Sequence, residues 1–219
     1  MCDFGKPGTV YFGPMPLRLL LVSGSLQARS ANRAALDVIR GEFDDRADVE
    51  IGDSVDVGLV PAFNPDIADR PDANVDAFKS AIGEADAVVI SAPEYAAGMP
   101  GALKNALDWV VGTGELYGKP VALISAGTSG GWHSRHQLIR SLTWQGAHVV
   151  GHLGISAPRT KSDADGRLVD PATIAEIRTL VDQLLAVVHM NPAERLQLVE
   201  QITEAAGVEP GHIAPVPEG

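Results

Sequence analysis

The feature that most constrains the fold is a set of short apolar runs with almost no polar residue inside them. These runs are Leu17–Val22, Ala87–Ser91, Val121–Ser125 and Ala147–Leu153. Continuous rather than alternating apolar runs are typical of strands that are covered on both faces. A shorter run, Val49–Ile51, predicts an additional strand at an edge of the sheet.

Helical patterns separate these runs. Ser30 can cap a helix that ends at Gly41, and Asp170 followed by Pro171 begins the last long helix of the pattern. Apolar residues recur at helical spacing in three further segments, which are Val75–Ile82, Pro100–Val110 and Trp132–Trp144. Strand and helix therefore alternate about five times, which predicts a doubly wound α/β fold, a parallel sheet with helices on both faces.

Two segments fall outside this alternation. Residues 1–16 are rich in Gly and Pro, which predicts an N-terminal arm. Residues 190–219 begin with the helix signal Asn191-Pro192 and end in a Pro-rich stretch, which predicts a C-terminal helical tail. We expect the domain between them to cover residues 17–189.

The charge balance disfavours several classes of partner. The chain has 28 acidic residues against 17 basic ones, a net charge of −11, so we expect neither nucleic acid nor an anionic membrane surface as a partner. The only cysteine, Cys2, excludes an internal disulfide framework. No apolar run approaches the roughly 18 residues of a membrane span, and the N-terminal residues do not have the pattern of a signal peptide. We therefore expect a cytoplasmic protein.

The loops after the strands are the candidate binding segments, because ligands of open parallel sheets bind at the carboxyl ends of the strands. Residues 23–32 follow the first run, are rich in Ser and open a helix, a pattern that favours an anion cradle of N–H and hydroxyl groups. Arg29 could add positive charge to it. This loop is neither the dinucleotide-binding fingerprint nor a P-loop, since Gly24 is its only glycine.

Two further loops have the composition of a site for a flat ligand. Residues 91–101 contain Pro93, Tyr95 and two glycines, so they combine a rigid backbone with an aromatic side chain. Residues 125–132 contain three glycines, which allow backbone to approach a ligand closely.

Together these loops resemble the NADPH-dependent FMN reductase family of flavodoxin-like proteins. Residues 24–32, GSLQARSAN, are similar to that family's phosphate loop, Gly-Ser-Leu-Arg-x-x-Ser-x-Asn. Residues 91–109, SAPEYAAGMPGALKNALDW, resemble its long second signature, and residues 59–66, LVPAFNPD, resemble its Leu-Pro loop. The Gly-rich residues 125–131 resemble its third loop. The chain departs from the family at Gln27, which replaces an Arg, and at Ala96, which replaces an Asn.

The resemblance implies a three-layer flavodoxin-like sandwich with five parallel strands in the order 2-1-3-4-5, and a bound FMN. It implies hydride transfer from NADPH or NADH through FMN to a flavin, quinone, azo or similar small acceptor, in a homodimer or homotetramer, with no catalytic side chain required. The implied phosphate contacts are Ser23, Ser25, Leu26, Gln27, Ser30 and Asn32. The implied ring contacts are Pro93, Glu94, Tyr95, Ala96, Ser125, Gly127, Gly130 and Gly131.

Two other functions compete with this interpretation. Residues 127–131 match the nucleophile-elbow pattern G-x-S-x-G, which would make Ser129 the nucleophile of a serine hydrolase, with Asp163 or Asp170 and His189 completing a triad. A non-enzymatic FMN electron carrier is the second alternative, since an acidic surface suits donation to basic partners.

Two pairs of histidines have spacings that permit two metal ligands each. His133 and His136 are three residues apart, and His148 and His152 are four apart, but no carboxylate has a spacing that would complete a metal site with either pair. We therefore expect no metal. Trp109 and Trp144 could belong either to the core or to an interface.

Overall fold

The computed structural model describes residues 15–70 and 72–217. A five-stranded, all-parallel sheet lies at its centre in the order β2-β1-β3-β4-β5, which confirms the predicted fold class and strand order. The strands are β1 (Leu17–Ser23), β2 (Val49–Asp53), β3 (Ala87–Ser91), β4 (Pro120–Gly127) and β5 (His148–Ser156). The predicted arm, residues 1–16, lies outside the described residues except for its last two.

Helices cover both faces of the sheet. They are α1 (Ala31–Phe43), α2 (Ala73–Glu84), α3 (Gly101–Asp108), α4 (Trp132–Trp144), α5 (Pro171–Val188) and α6 (Pro192–Ala205). Helices α1 and α5 bury their apolar residues against one face, and α2, α3 and α4 bury theirs against the other. The continuous apolar runs of the strands follow from this coverage, because both faces of each central strand are buried.

Two predicted helix ends were wrong. Helix α1 continues through Gly41 to Phe43, because the Phe43 side chain is buried in the core and holds the last turn in place. Helix α3 ends at Asp108, and Val110 lies in the turns that follow it. In α1, the burial of Phe43 therefore outweighs the stop signal at Gly41. After α3, Val110 is buried from a turn instead of from the helix.

The C-terminal segment packs against the sheet. The Arg195 side chain is buried and donates a hydrogen bond to the carbonyl of Gly118. Nε2 of the buried His148 lies 2.6 Å from the carbonyl oxygen of Ala214. These contacts attach both α6 and the residues after it to β5 and its neighbours, while the domain boundary at residue 189 stays a prediction. Within the described residues, no helix is both long and apolar enough to cross a membrane.

Candidate functional site

The three predicted loops meet at one edge of the sheet. They follow β1, β3 and β4, which are adjacent strands, and the backbone joins them directly. Gly24 N donates to Ser91 O over 2.8 Å, and Ala92 N donates to Ile124 O over 3.0 Å. A Cβ atom at Gly24 would lie 2.8 Å from Ala92 Cβ, so only glycine allows the first two loops to approach this closely.

The first loop forms a cradle of free backbone N–H groups. Ser25 is buried and its hydroxyl accepts a hydrogen bond from Gln27 N (3.3 Å), while Ser30 caps α1 by accepting from Asn32 N (3.2 Å). Within the described residues, the amides of Leu26 and of residues 28–31 donate no hydrogen bond. Unsatisfied amides at a helix N-terminus favour an anion, which is the chemistry a phosphate group supplies.

The other three predicted phosphate contacts of this loop, Ser23, Leu26 and Gln27, differ in exposure. The Ser23 hydroxyl is half-buried and bonds within the loop, to Ser25 O over 3.2 Å. The side chains of Leu26 and Gln27 are exposed, so both are free to contact a ligand.

Asn32 connects the first loop with the third. Its side chain is 2% exposed; Nδ2 donates to Ala126 O (3.0 Å) and Oδ1 accepts from Ala126 N (2.8 Å). Oδ1 also accepts from the Ser91 hydroxyl over 3.3 Å. The carboxamide is thus occupied by three hydrogen bonds to two strand ends, and its implied contact with a phosphate group stays a prediction.

Arg33 supplies the cation nearest to the loop backbone. Its Nε donates to Ser25 O over 3.3 Å, and its guanidinium pairs with Asp56 at 3.4 Å. Arg29, the cation that the sequence suggested, is exposed. The cation that contacts the loop is therefore Arg33, in the first turn of α1, and its charge is shared with Asp56.

The second loop contains a tight backbone turn. Tyr95 and Gly98 exchange two hydrogen bonds (2.9 and 3.0 Å), and the residues between them, Ala96 and Ala97, have φ of 49° and 57°. Positive φ at both central positions is the geometry of a turn that prefers Asn-Gly. The family's Asn at position 96 therefore has a backbone reason, in addition to the polar contact that its replacement by Ala removes.

We expect Ala96→Asn and Ala97→Gly each to stabilise the protein. Each substitution relieves part of the left-handed strain of about 1–2 kcal/mol that a residue with a Cβ atom carries. A gain of about 1 kcal/mol would raise Tm by roughly 2–4 °C, measurable by thermal unfolding. Ala68→Gly is the matched control, since Ala68 is exposed with φ of −61° and gains nothing from glycine. An unchanged or lower Tm in both turn variants would contradict this.

Helix α4 holds the second loop in place. Glu94 accepts a hydrogen bond from Ser134 N (3.1 Å), so its carboxylate caps α4 from outside the helix. The Ser134 hydroxyl donates to Pro93 O over 3.1 Å. Gln137 accepts from Met99 N over 2.7 Å. The loop is thus fixed at both ends, which leaves the exposed Tyr95 at its tip.

The third loop depends on glycines with left-handed backbone. Gly130 and Gly131 have φ of 73° and 60°, and Gly131 precedes α4. A Cβ atom at Gly131 would overlap Ser125 Oγ, whose hydroxyl donates to Ala92 O over 2.7 Å. Gly127, by contrast, has open space around its Cα. The third loop is therefore packed tightly on the second at Gly131 and is open at Gly127.

A half-buried arginine and a half-buried histidine support the third loop. Arg135 Nε donates to Gly130 O over 3.0 Å, and the other side of its guanidinium bonds Nδ1 of His152. Burial, followed by the charges of Arg135 and His136, lowers the pKa of His152 to about 4. His152 is therefore neutral near pH 7 and accepts from Arg135.

This neutral histidine predicts a pH dependence. Its pKa in the folded state lies below the unfolded value of about 6.5, so the unfolded chain binds the extra proton between about pH 6.5 and 4, and stability falls as the pH falls through that window. We expect His152→Gln, which keeps an acceptor for Arg135, to lose less Tm than the parent between pH 7 and pH 4. Equal losses, measured by thermal unfolding, would show that His152 does not titrate as described.

The segment 59–66 is attached to α3. Asn105 Oδ1 accepts from Phe63 N (2.7 Å), and its Nδ2 donates to Pro61 O (2.8 Å). Trp109 Nε1 also donates to Pro61 O over 2.8 Å, and its ring meets Phe63 edge-on. Trp109 is therefore a core residue, whereas Trp144 is exposed and lies against the ring of His212.

Large apolar side chains remain exposed around the joined loops. Tyr95 is 57% exposed, Trp132 is 53% exposed and Leu26 is 55% exposed. Leu26 belongs to the first loop, Tyr95 to the second, and Trp132 stands at the end of the third. Flat faces that surround a backbone cradle suit a ligand with an aromatic ring system.

The geometry does not favour the hydrolase alternative. Asp170 caps the N-terminus of α5, where Thr173 N and Oγ1 donate to its carboxylate, whereas His189 follows the C-terminus of the same 18-residue helix. A helix of that length spans about 27 Å, so these two side chains cannot pair. Asp163 accepts hydrogen bonds from Asp165 N and Arg167 N in its own turn. Ser129 itself is exposed.

The histidine pairs serve other contacts. His148 is committed to Ala214 and His152 to Arg135, while His136 stacks on Trp132 with ring centroids 3.9 Å apart. No group of three or more His, Cys, Asp or Glu side chains suited to a metal ion occurs in the described part of the chain.

Comparisons with known proteins agree with this site. The model of the family described as NADPH-dependent FMN reductase matches residues 17–162, which include all three loops. An NAD(P)H-dependent FMN reductase of Pseudomonas aeruginosa is 33% identical over 177 residues, 77% of this chain and 91% of the relative. An NADPH:quinone oxidoreductase of Arabidopsis thaliana is 31% identical over 78% of this chain and 91% of its own length.

A solved structure shows the same architecture. The flavoenzyme NAD(P)H:(acceptor) oxidoreductase FerB of Paracoccus denitrificans superposes with a TM-score of 0.63 and 25% identity, covering 78% of this chain and 98% of its own. The sequence comparisons, the geometry of the loops and the fold all indicate the same family. The chain belongs to the NADPH-dependent FMN reductase family.

Proposed function

We propose that this protein is an FMN-dependent NAD(P)H oxidoreductase that reduces a small aromatic acceptor, a quinone or a free flavin. One observation carries the proposal: the three loops of the family signature meet in a single cradle of free amides, glycines and exposed aromatic rings. Relatives named as FMN reductase, NADPH:quinone oxidoreductase and 2-hydroxy-1,4-benzoquinone reductase support the acceptor class. Those names also favour an enzyme over an electron carrier and over a hydrolase.

The residues present fit FMN. The unbonded amides of the first loop suit its phosphate, and Arg33 adds a positive charge beside them. The side chains or amides that would hold the phosphate are those of Ser23, Ser25, Leu26, Gln27 and Ser30. The residues that would hold the ring are Pro93, Glu94, Tyr95, Ala96, Ser125, Gly127, Gly130 and Gly131. When bound, FMN accepts hydride from NAD(P)H and passes electrons to the acceptor.

The protein's own part is binding and orientation. The cradle requires no acidic or basic side chain at the reacting atoms. The hydrogen bonds of the buried Asn32 and of the half-buried Arg135 hold the loops rigid, so little conformational entropy is lost on binding. Tyr95 and Trp132 offer exposed faces on which a planar substrate can stack.

We also propose a homodimer or homotetramer in the cytoplasm. The resemblance to the family and exposed apolar side chains such as Val111 support the assembly. The lack of a membrane-spanning helix among the described residues agrees with the location. Sedimentation analysis of the purified protein would test the assembly, and a single species with the monomer's mass would contradict it.

The central test is an absorbance spectrum of the purified protein before and after anaerobic addition of NADPH. We expect flavin bands that bleach with NADPH and return when a quinone is added. Catalytic turnover with the quinone would separate an enzyme from a one-time electron carrier. A colourless protein whose fluorescence and Tm do not change on titration with FMN would contradict the proposed function.

A further inference from the structure

An open polar cavity lies beside the flavin loops, and the C-terminal segment lines one side of it. Its volume is about 510 Å³, within the range of ligand sites. It is lined by Ala97, Trp132, His133, His136, Gln137, Arg140 and residues 205–207. Ala97 belongs to the second loop and Trp132 follows the third, so the cavity borders the proposed flavin site.

The lining is basic in a strongly acidic protein. Arg140, His133 and His136 line the cavity, and none of its described lining residues is an Asp or Glu. Arg140 is exposed and forms no ion pair with the described residues. Arg33 and Arg178, by contrast, each pair with a carboxylate. An unpaired guanidinium in a carboxylate-free cavity favours an anionic ligand, and phosphate suits its fork of donors.

The cavity also has an aromatic wall. Trp132 is stacked on His136 at 3.9 Å between ring centroids, and His133 meets Trp132 edge-on at 4.9 Å. The indole is still 53% exposed. A purine base can stack on such a wall while a phosphate group on its ribose reaches Arg140.

The opposite wall is held in a fixed shape. Val208 N donates to Thr203 O (3.1 Å) and Gly207 N to Glu204 O (2.9 Å), with φ of 70° at Gly207, which is the glycine cap of a helix end. Val208 is buried below this cap. This wall lies outside residues 17–162, the part that matches the family. One wall of the cavity, residues 205–207, therefore comes from the C-terminal tail and not from the part of the chain that matches the family.

We propose that this cavity binds the adenosine end of NADPH, with Arg140 pairing with the 2′-phosphate and the Trp132 wall holding the base. The inference rests on the proposed function, because the cavity is a candidate for the adenosine end only if the nicotinamide is placed at the flavin loops, which it borders at Ala97 and Trp132. It makes Arg140 the residue that distinguishes NADPH from NADH.

The test is calorimetric titration of the full-length protein, with and without FMN, using adenosine 2′,5′-bisphosphate and 5′-AMP. We expect the bisphosphate to bind the parent more tightly. Arg140→Gln should weaken bisphosphate binding by about tenfold or more and change AMP binding less than about twofold, because only the bisphosphate carries the charge that Arg140 meets. Arg140→Lys, which keeps the charge, should lose less. Arg178→Gln, on the opposite face of the sheet, is the matched control and should change neither affinity.

Three results would overturn the assignment: equal affinity of the parent for both nucleotides, unchanged bisphosphate binding in Arg140→Gln, or equal weakening of both nucleotides. Steady-state kinetics separate this failure from failure of the proposed function. If NADPH and NADH both reduce the flavin and Arg140→Gln leaves their ratio of kcat/KM unchanged, only the inference about Arg140 is wrong. If neither nucleotide reduces the flavin, the proposed function fails, and the binding measurements still decide what occupies the cavity.

Discussion

Gly131→Ala is expected to unfold the third loop and to weaken FMN binding more than any other single methyl group added at this site. The new Cβ would overlap Ser125 Oγ and stand 2.5 Å from Ser125 Cβ, in backbone with φ of 60°. Ser125 cannot withdraw, because it is buried and bonded to Ala92 O. Left-handed strain and overpacking together should cost about 2–4 kcal/mol, a fall in Tm of roughly 5–15 °C.

Gly127→Ala is the control for this substitution. It adds the same methyl group to the same loop, four residues earlier, where no atom lies within 4 Å of the new Cβ. We expect its Tm to stay close to that of the parent. Ser125→Gly combined with Gly131→Ala should recover part of the lost stability by removing the overlapping atoms. Equal Tm values for Gly131→Ala and Gly127→Ala would show that the third loop is not packed as described.

Asn32→Ala is expected to have the second largest effect, and mainly on stability. It leaves the N–H and C=O of Ala126 and the hydroxyl of Ser91 without their buried partner. Each unsatisfied buried group costs about 1–3 kcal/mol, so a total of about 2–4 kcal/mol is expected after partial rearrangement. Chemical denaturation of the FMN-free protein measures this loss without any contribution from the cofactor.

Gln27→Ala is the comparison for Asn32→Ala. Both residues belong to the implied phosphate loop, but the Gln27 side chain is exposed. We expect Gln27→Ala to leave the stability of the FMN-free protein unchanged and to lower FMN affinity modestly. If Asn32→Ala also left that stability unchanged, its carboxamide would not be the connection between loops described above.

The fold could be predicted because its determinants are local or periodic. Continuous apolar runs identify buried parallel strands, and Ser30 and Asp170 cap the helices that the sequence predicted they would cap. Phe43 was missed as a helix residue, because it is buried in the core that α1 and α5 form on one face of the sheet, and no local pattern reveals that core.

The site could be predicted only as a set of loops. Asn32 and Ala126 are 94 residues apart, so their hydrogen bonds exist only once β1 and β4 share a sheet. The sequence suggested Arg29 as the nearby cation, whereas Arg33 contacts the loop. Helical side chains point toward the N-terminus, so an arginine in the first turn of α1 reaches back over Ser25. Contacts of this kind follow from the three-dimensional arrangement and cannot be recognised from a sequence motif.

The tail has a consequence for how the sheet avoids pairing with a strand of another chain. Val199 joins the apolar core on one face of the sheet, while Ala206 and Val208 join the core on the other face. The chain therefore passes around β5, the strand at one end of the sheet, and is anchored there by His148 and Ala214. An uncovered terminal strand offers a row of free backbone groups to any other chain. The tail covers that strand. We expect its removal to expose these backbone groups and to favour aggregation.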